Sequence, residues 1–369
     1  MNHTKGRFIL ISILIVSLCF LTWACFTRPT NYVFSPAINR NIFHSDSVTV
    51  TGTDTSTTNK IKLETSFTPN SIFDKILDYD SENDSLLIVA GDVMLGRTVN
   101  TKTVDSGSFN WPYKNIPNFF PDEAITFINL ENPLTKECRQ TDIGMLFCGD
   151  QSHAQYIQKN NIDIVSLANN HTLNHGVKGL METTEVLGEN GIRYTGVANP
   201  TWIEDKNNKF LFLGFDHLEC NQNYIECMTD ENVVGDVKRA KAVENSFVVV
   251  MFHWGNEYTY TPTEGQKHFA QLAIDSGADL VLGNHPHWYQ KLEMYKGKLI
   301  MYSHGNFIFD QMWSEGTKEG LVGKYVIKDG KLKDVEFVPI YIENFGQPRI
   351  ANEDRAKKIL NNLYNISKF

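Results

Sequence analysis

The chain has 369 residues, 41% hydrophobic and 21% charged, a globular composition long enough for one large domain with accessory segments. Its 34 Lys and Arg stand against 43 Asp and Glu, and the formal charge of -9 repels a nucleic-acid backbone on average, which excludes nucleic acid as the expected partner. Net charge does not exclude a local cleft that draws in an anion.

At the N-terminus, Lys5 and Arg7 precede an uncharged stretch over 8–26, the pattern of an export signal. The stretch is long enough to cross a bilayer, which takes about 20 apolar residues, although Ser12, Ser17 and Thr22 dilute it. Residues 1–27 therefore read as a signal anchor that holds the protein at the cell membrane with its main domain outside the cytoplasm. Lipidation at Cys25, which follows the small Ala24, is the alternative. Residues 28–85 are rich in Ser, Thr, Asn and Asp, too polar to bury much surface, and read as a spacer. Outside the cytoplasm thiols tend to pair. Cys19 and Cys25 lie in the signal, and of the pairings open to the other four the short-range ones are expected, Cys138 with Cys148 and Cys220 with Cys227.

From Leu86 onward, apolar runs of strand length alternate with helical patterns, the signature of an α/β fold. The first strand, 86–90, runs into Gly91-Asp92-Val93-Met94-Leu95-Gly96-Arg97, a carboxylate in a glycine-flanked loop that turn chemistry alone would explain. The second, 124–129, leads into Asn129-Leu130-Glu131-Asn132-Pro133, where Glu131 needs a salt bridge or a metal as partner. A helix over 153–159 precedes the third strand, 162–168, which ends in Ala168-Asn169-Asn170-His171 and then Asn174-His175-Gly176. Asn170 offers a neutral oxygen to a metal, and His171 suits proton transfer or a phosphate oxygen. Asn169 is either a substrate contact or a loop cap.

A helix over 179–189 and a strand over 210–215 follow. Strands 247–252 and 279–282 flank a helix over 266–275 and close on Phe252-His253-Trp254-Gly255 and Gly283-Asn284-His285-Pro286-His287. Imidazole is the commonest metal ligand, and a stiff His-Pro-His suits two neighbouring metals, or a metal and a phosphate. Any one histidine is equally well read as a core or surface residue. Five polar clusters at strand ends are not, because strand ends are where ligands collect in layered α/β folds. After strand 299–303, His304-Gly305-Asn306-Phe307-Ile308-Phe309-Asp310-Gln311 offers Asn306 and Asp310 to a cleft, with Phe307 and Phe309 alternating as core. Runs over 320–327 and 332–340 read as a closing hairpin and 354–364 as a terminal helix. The main domain is thus set at 86–345, with a C-terminal helical segment over 346–369.

The order Gly-Asp, Asn-Leu-Glu, Asn-Asn-His, His-Trp-Gly, His-Pro-His and His-Gly-Asn-Phe resembles the CapA family of poly-gamma-glutamate capsule synthesis proteins, in the calcineurin-like metallophosphoesterase superfamily, over roughly 86–342. The resemblance implies a four-layer α-β-β-α sandwich and one or two divalent ions, manganese, iron, zinc or cobalt. It implies that Asp92 binds the first ion, that Glu131 bridges both, and that Asn170, His253 and His285 hold the second. His287 would complete the first, and His171 would be the acid that protonates the leaving oxygen. Met94 stands where the superfamily's Asp-x-His motif has its histidine; a thioether is a poor ligand for a hard ion, so the first site is expected to be weakened. Trp254, Glu257 and Tyr258 read as a substrate wall or as rim structure. The expected ligand is a phosphoester that is hydrolysed, or a polyanionic chain bound during capsule assembly beside membrane-embedded synthesis partners. A vestigial site is the third reading.

Overall fold

The structure is a computed structural model that describes residues 77–367. The expected anchor over 1–27, Cys25 and the spacer as far as residue 76 lie outside the described residues. Among the described residues, no helix is long and apolar enough to cross a membrane.

The first part of the chain runs through β1 (Ser85–Val93), α1 (Arg97–Ser106), β2 (Ile125–Leu130), the short β3 (Leu134–Thr135) and β4 (Gly149–Asp150), α2 (His153–Lys159), β5 (Ile164–Ser166), α3 (Gly176–Glu189) and β6 (Arg193–Thr195). Then come β7 (Thr201–Asp205), β8 (Asn208–Asp216), α4 (Asp230–Lys241), β9 (Ser246–His253), α5 (Glu264–Ser276), β10 (Leu280–Asn284), β11 (Leu292–Tyr295) and β12 (Lys298–Met301). The last part holds β13 (Asn306–Ile308), α6 (Glu315–Lys318), β14 (Glu319–Lys328), β15 (Lys331–Glu343), β16 (Gln347–Ile350) and α7 (Glu353–Ser367). Two sheets result, an eight-stranded one in the order β16-β15-β14-β1-β2-β5-β6 with β13 beside β1, and a six-stranded one in the order β11-β12-β10-β9-β8-β7. β1, β2, β5 and β6 run parallel, as do β8, β9, β10 and β12, so this is a mixed α/β fold.

Side chains alternate across a strand, and here both faces are apolar, as parallel strands covered on both sides require. From β1, Leu87 and Val89 join Phe127, Phe212, Val249 and Leu282 in one cluster between the sheets. Leu86, Ile88 and Ala90 face the other way, toward Ile157 of α2 and Leu187 of α3. On the second sheet, Leu211, Val248 and Val250 turn toward Val233 and Val237 of α4 and Ala270 and Ala273 of α5. α5 starts on a capping box in which the Thr263 hydroxyl accepts from the Gln266 N–H and the Gln266 side chain returns to the Thr263 backbone.

The strands expected over 86–90, 124–129, 162–168, 210–215, 247–252, 279–282 and 299–303 correspond to β1, β2, β5, β8, β9, β10 and β12, and the closing hairpin is β14 with β15. α1 and α4 were not expected. α4 buries a narrow stripe, Val233, Val237 and Ala240, in an otherwise polar run, and draws support from Asp230 and Glu231 in its first turn and Lys238, Arg239 and Lys241 in its last. Two boundaries also differ. Residues 77–84, read as spacer, pack on the domain, where buried Asp84 accepts from Lys333 Nζ at 2.8 Å and Leu77 and Tyr79 lie against the core. The segment 346–369 opens with strand β16 before α7, whose Ile359, Leu360 and Leu363 enter the cluster between the sheets.

Both expected disulfides are present, Cys138–Cys148 and Cys220–Cys227. Closing a loop of this size restricts the unfolded chain by about 2–3 kcal/mol. Replacing Cys138 and Cys148 together by Ser is expected to lower the denaturation free energy by that amount in equilibrium urea unfolding. A loss under about 0.5 kcal/mol would show that the unfolded chain gains little from the missing cross-link.

Candidate metal centre

Strands β1, β2 and β5 of one sheet and β9 and β10 of the other bring their C-terminal ends to one place, the position where open α/β sheets bind ligands. Asp92 reaches it through a bulge, since the register of β1 shifts against β13 between Asp92 and Val93. The preceding Gly91 is required by space, because a Cβ there would sit 1.8 Å from the Gly305 carbonyl oxygen. Asp92 Oδ1 accepts from Asn129 Nδ2 at 2.8 Å and Oδ2 from the His285 N–H at 3.2 Å, which ties the two sheets together at the site.

Two carboxylates share this buried corner. Asp92 and Glu131 are both fully inaccessible to solvent, and among the described residues Glu131 Oε1 has no hydrogen-bond partner. Burial, and then the negative charge of Asp92, push the Glu131 carboxyl well above its ordinary value of 4.5. Buried like charges without a cation are costly. What lies nearest them is a set of imidazoles and an amide oxygen, while Arg97, whose charge reaches Glu131, is paired with Asp310: Asn170 Oδ1 lies 3.0 Å from His253 Nε2, and His287 Nε2 lies 3.8 Å from Glu131 Oε1. Adjacent ligands of an ion held at about 2.1 Å stand about 3 Å apart, so the spacing and donor chemistry fit a divalent transition metal. Two triads, Asp92 with Glu131 and His253, and Glu257 with His285 and His287, each place one ligand atom per residue within 4.8 Å of the others.

The histidines are oriented for this. His287 Nδ1 faces Asn306 Oδ1 at 2.9 Å and Asp92 Oδ2 at 3.2 Å, two acceptors that fix the proton there and leave Nε2 as the ligand atom. His285 Nδ1 is buried without a partner, and burial lowers its pKa to about 3, so the ring is neutral and able to ligate. Burial, then the neighbouring His285, likewise hold His253 well below its usual value. His285 and His287 both have positive φ, 93° and 58°, a conformation that costs non-glycine residues free energy and concentrates at functional sites. His171 stacks on Phe147 with ring centroids 3.9 Å apart. Its Nδ1 lies 2.9 Å from Asn174 Oδ1, an oxygen that also accepts from the Phe147 N–H, so the proton is assigned to Nδ1. Nε2 then looks into the site, 3.9 Å from Glu131 Oε1.

Asp92, Glu131, Asn170, His171, His253, His285 and His287 therefore converge as the motifs implied. Other candidates stand elsewhere. Trp254, read as a substrate wall, is fully buried on the far face of the second sheet, stacked on Phe252 at 4.4 Å with its Nε1 donating to the Tyr302 carbonyl. Strand alternation that turns His253 inward turns Trp254 outward. Asn169, read as a substrate contact or a loop cap, is fully buried; its Nδ2 donates to Asn129 Oδ1 and the Leu130 carbonyl, and its Oδ1 accepts from the His171 N–H. It shapes the loop. Asn306 orients His287, while Asp310 is paired with Arg97 and accepts from the Thr98 N–H. Glu257 and Asp310 line an open cleft of about 310 Å³ together with His171, His287 and Tyr258. Met94 points away into the core, its Sδ accepting from the Gly96 N–H.

Two contributors escaped the reading of the motifs. Asn129 holds Asp92 and stands 3.3 Å from His253 Nδ1, and its signal was its place two residues before Glu131, on the same side of β2. Arg97 packs over Phe147, 4.5 Å from the ring centre, and nothing in its sequence context marks it.

Residues 86–311 match the family described as bacterial capsule synthesis protein PGA_cap. The chain is 27% identical over 290 residues to the capsule biosynthesis protein CapA of Bacillus anthracis, covering 73% of this chain and 70% of that one. It is 27% identical over 299 residues to the PGA biosynthesis protein CapA of Bacillus subtilis (strain 168), covering 76% and 77%. A crystal structure of a phosphatase from Mycoplasma pneumoniae aligns with a TM-score of 0.47 at 12% identity, covering 72% of this chain and 95% of that one, a likeness too loose to speak about chemistry. With more than half of the chain matched, and with the matched span carrying every residue of the centre, the chain belongs to the bacterial capsule synthesis protein PGA_cap family.

Proposed function

We propose that this protein is a metal-dependent phosphoester hydrolase of the cell envelope that serves capsule or poly-gamma-glutamate synthesis or export, tethered to the membrane through residues 8–26. The layering of helices, two sheets and helices supports a four-layer sandwich of the metallophosphoesterase type. The family and the names of its Bacillus relatives support the capsule setting. The observation that carries the chemistry is the buried Asp92–Glu131 pair, with an orphaned carboxylate oxygen that faces the Nε2 atoms of His287 and His171 at 3.8 and 3.9 Å.

By the family's motifs Asp92, Glu131 and His287 would hold one ion and Glu131, Asn170, His253 and His285 another; the ligand atoms themselves cluster as Asp92, Glu131 and His253 and as Glu257, His285 and His287, so Glu257 offers a ligand where Met94 cannot stand in for a histidine. Bound there, divalent manganese, iron, zinc or cobalt supplies a Lewis acid for a phosphoryl oxygen and lowers the pKa of water. The chain's own residues do the rest. Asn306 and Asp92 fix His287, Asn174 and Phe147 fix His171, and the cleft admits the ester beside them. In the reaction, the oxygen of water bonds to phosphorus, the P–O bond to the alcohol breaks, and the leaving oxygen takes a proton. His171, neutral with its pKa lowered to about 4 chiefly by burial and its proton on Nδ1, would take a second proton from solvent at Nε2 as the phosphate dianion binds beside it and deliver that proton to the leaving oxygen.

The full-length protein, purified and loaded in turn with manganese, iron, zinc and cobalt, is expected to retain one or two ions by elemental analysis and to release alcohol from a p-nitrophenyl phosphate ester. Ions retained without turnover would replace hydrolysis by an accessory role in which the cleft only binds. No retained ion with any of the four would end the reading.

A further inference from the structure

The Cys138–Cys148 disulfide staples a loop that presents its apolar residues to solvent: Ile143 is 81% exposed, Met145 62% and Leu146 69%. This is a held conformation, since Arg97 Nη1 donates to the Gly144 carbonyl at 3.3 Å and the Thr141 hydroxyl accepts from the Ile143 N–H at 3.3 Å. Trp313, 60% exposed, packs edge-on against Tyr258 at 4.6 Å, and Phe345 is 43% exposed. Met145, Trp313 and Phe345 line the same cleft as His171, His287 and Glu257. Exposed apolar groups gathered around one opening mark an interaction site, whereas scattered ones do not.

Charge narrows the ligand. Among the residues lining the cleft, Arg97 is the sole Lys or Arg and is paired with Asp310, while Asp142 and Glu257 add negative charge. A polyanionic chain threading this opening would meet carboxylates and hydrocarbon where it needs a row of cations. A ligand with one phosphate for the metals and an apolar remainder for the rim meets neither conflict. A cleft of about 310 Å³ has room for the headgroup and the first part of such a molecule; the rest must lie across Ile143, Leu146 and Trp313, where it would be bare in water. A bilayer removes that cost. The uncharged run over 8–26, proposed above as the membrane tether, would hold the protein at such a surface.

We infer that the cleft takes a membrane-borne amphiphilic phosphoester, its phosphate at the metal centre and its hydrocarbon, with the bilayer around it, against Ile143, Met145, Leu146, Trp313 and Phe345. The inference rests on the phosphoester reading above and names its substrate class. Hydrolysis of the monoester adds water across the P–O bond, leaving the long-chain alcohol in the bilayer and releasing inorganic phosphate.

The test uses the full chain, manganese-loaded, in phosphatidylcholine nanodiscs. In one arm, brominated phosphatidylcholine quenches the part of the tryptophan fluorescence that Trp313→Phe removes, and the exposed triple variant Ile143→Ser, Met145→Ser, Leu146→Ser abolishes that quenching. In the other, kcat/KM for release of inorganic phosphate from the ester dodecyl phosphate exceeds that from methyl phosphate at least 10-fold in the wild type, and the ratio falls below 2 in the triple variant. Quenching with neither ester hydrolysed supports the lipid-facing cleft and overturns the hydrolytic reading. Equal hydrolysis of both esters with Trp313 unquenched overturns the lipid substrate and leaves hydrolysis standing. Absence of both effects overturns the inference.

Discussion

Glu131→Gln is expected to make the metal-free protein more stable at pH 7 while abolishing its retention of a divalent ion. The wild-type carboxyl is pushed well above 4.5 by burial and by Asp92. A carboxyl raised on folding contributes stability that is fully present below its unfolded pKa and is lost as pH climbs toward its folded pKa. At neutral pH, above the carboxyl's unfolded pKa, the metal-free protein therefore bears the free-energy cost of that raised pKa, which the isosteric amide, having no proton to lose, removes. Each kcal/mol recovered moves the thermal midpoint of a domain this size upward by about 2–4 °C. Differential scanning calorimetry after chelation, from pH 4 to pH 8, should show wild type and variant converging at the acid end and separating at the neutral end. If Glu131 is a ligand as proposed, the same substitution removes a carboxylate the ion would need, so elemental analysis should find at most a trace. A variant less stable than wild type at pH 7 would mean that Glu131 is satisfied without a metal, and the site would lose its main support. Stability given up where function needs charge is the general pattern at active sites.

The motifs pointed to candidate ligands because each is a polar side chain stranded at the end of an apolar strand, and burial forces such groups to find partners. Singly Asp92, Glu131, His253 and His285 each have an ordinary reading; five such clusters at strand ends, in the order that resembles the family, mark them together. Direction was legible too, though it takes the period-two rule to see it: His253 inward means Trp254 outward, and Glu131 inward means Asn129 with it. What the sequence hides is which of several polar neighbours a side chain chooses. Asn169 and Asn170 are adjacent and chemically identical, yet Asn169 spends its hydrogen bonds on the loop and Asn170 turns to His253, a choice made by the path of the chain after β5. α4 was hidden for a different reason. Its apolar stripe is three residues wide, and its start and stop are written in capping and charge rather than in hydrophobic periodicity. Arg97 and Phe147, which flank His171 from separate segments, are joined only by the folded chain.

His171→Gln is expected to leave the metal content unchanged and to cost activity in proportion to how much the leaving group needs a proton. His171 Nε2 stands 3.9 Å from Glu131 Oε1, its ring fixed by Asn174 on one edge and Phe147 on one face. Proton transfer from a positioned histidine contributes about 10²–10⁴-fold. An alkoxide cannot leave unprotonated, so an alkyl phosphate should lose that whole factor, whereas p-nitrophenolate is stable without a proton and its ester should lose less than about 10-fold. A ring that merely binds the phosphate would cost both esters equally, because binding does not distinguish the leaving group. Steady-state kinetics on the two esters, with elemental analysis of the same preparations, separate these roles. Equal losses would move His171 from acid to phosphate ligand. Loss of the ion would place it in the metal shell, a role consistent with its 3.3 Å approach to Asn170 Nδ2 only if Asn170 then turns away.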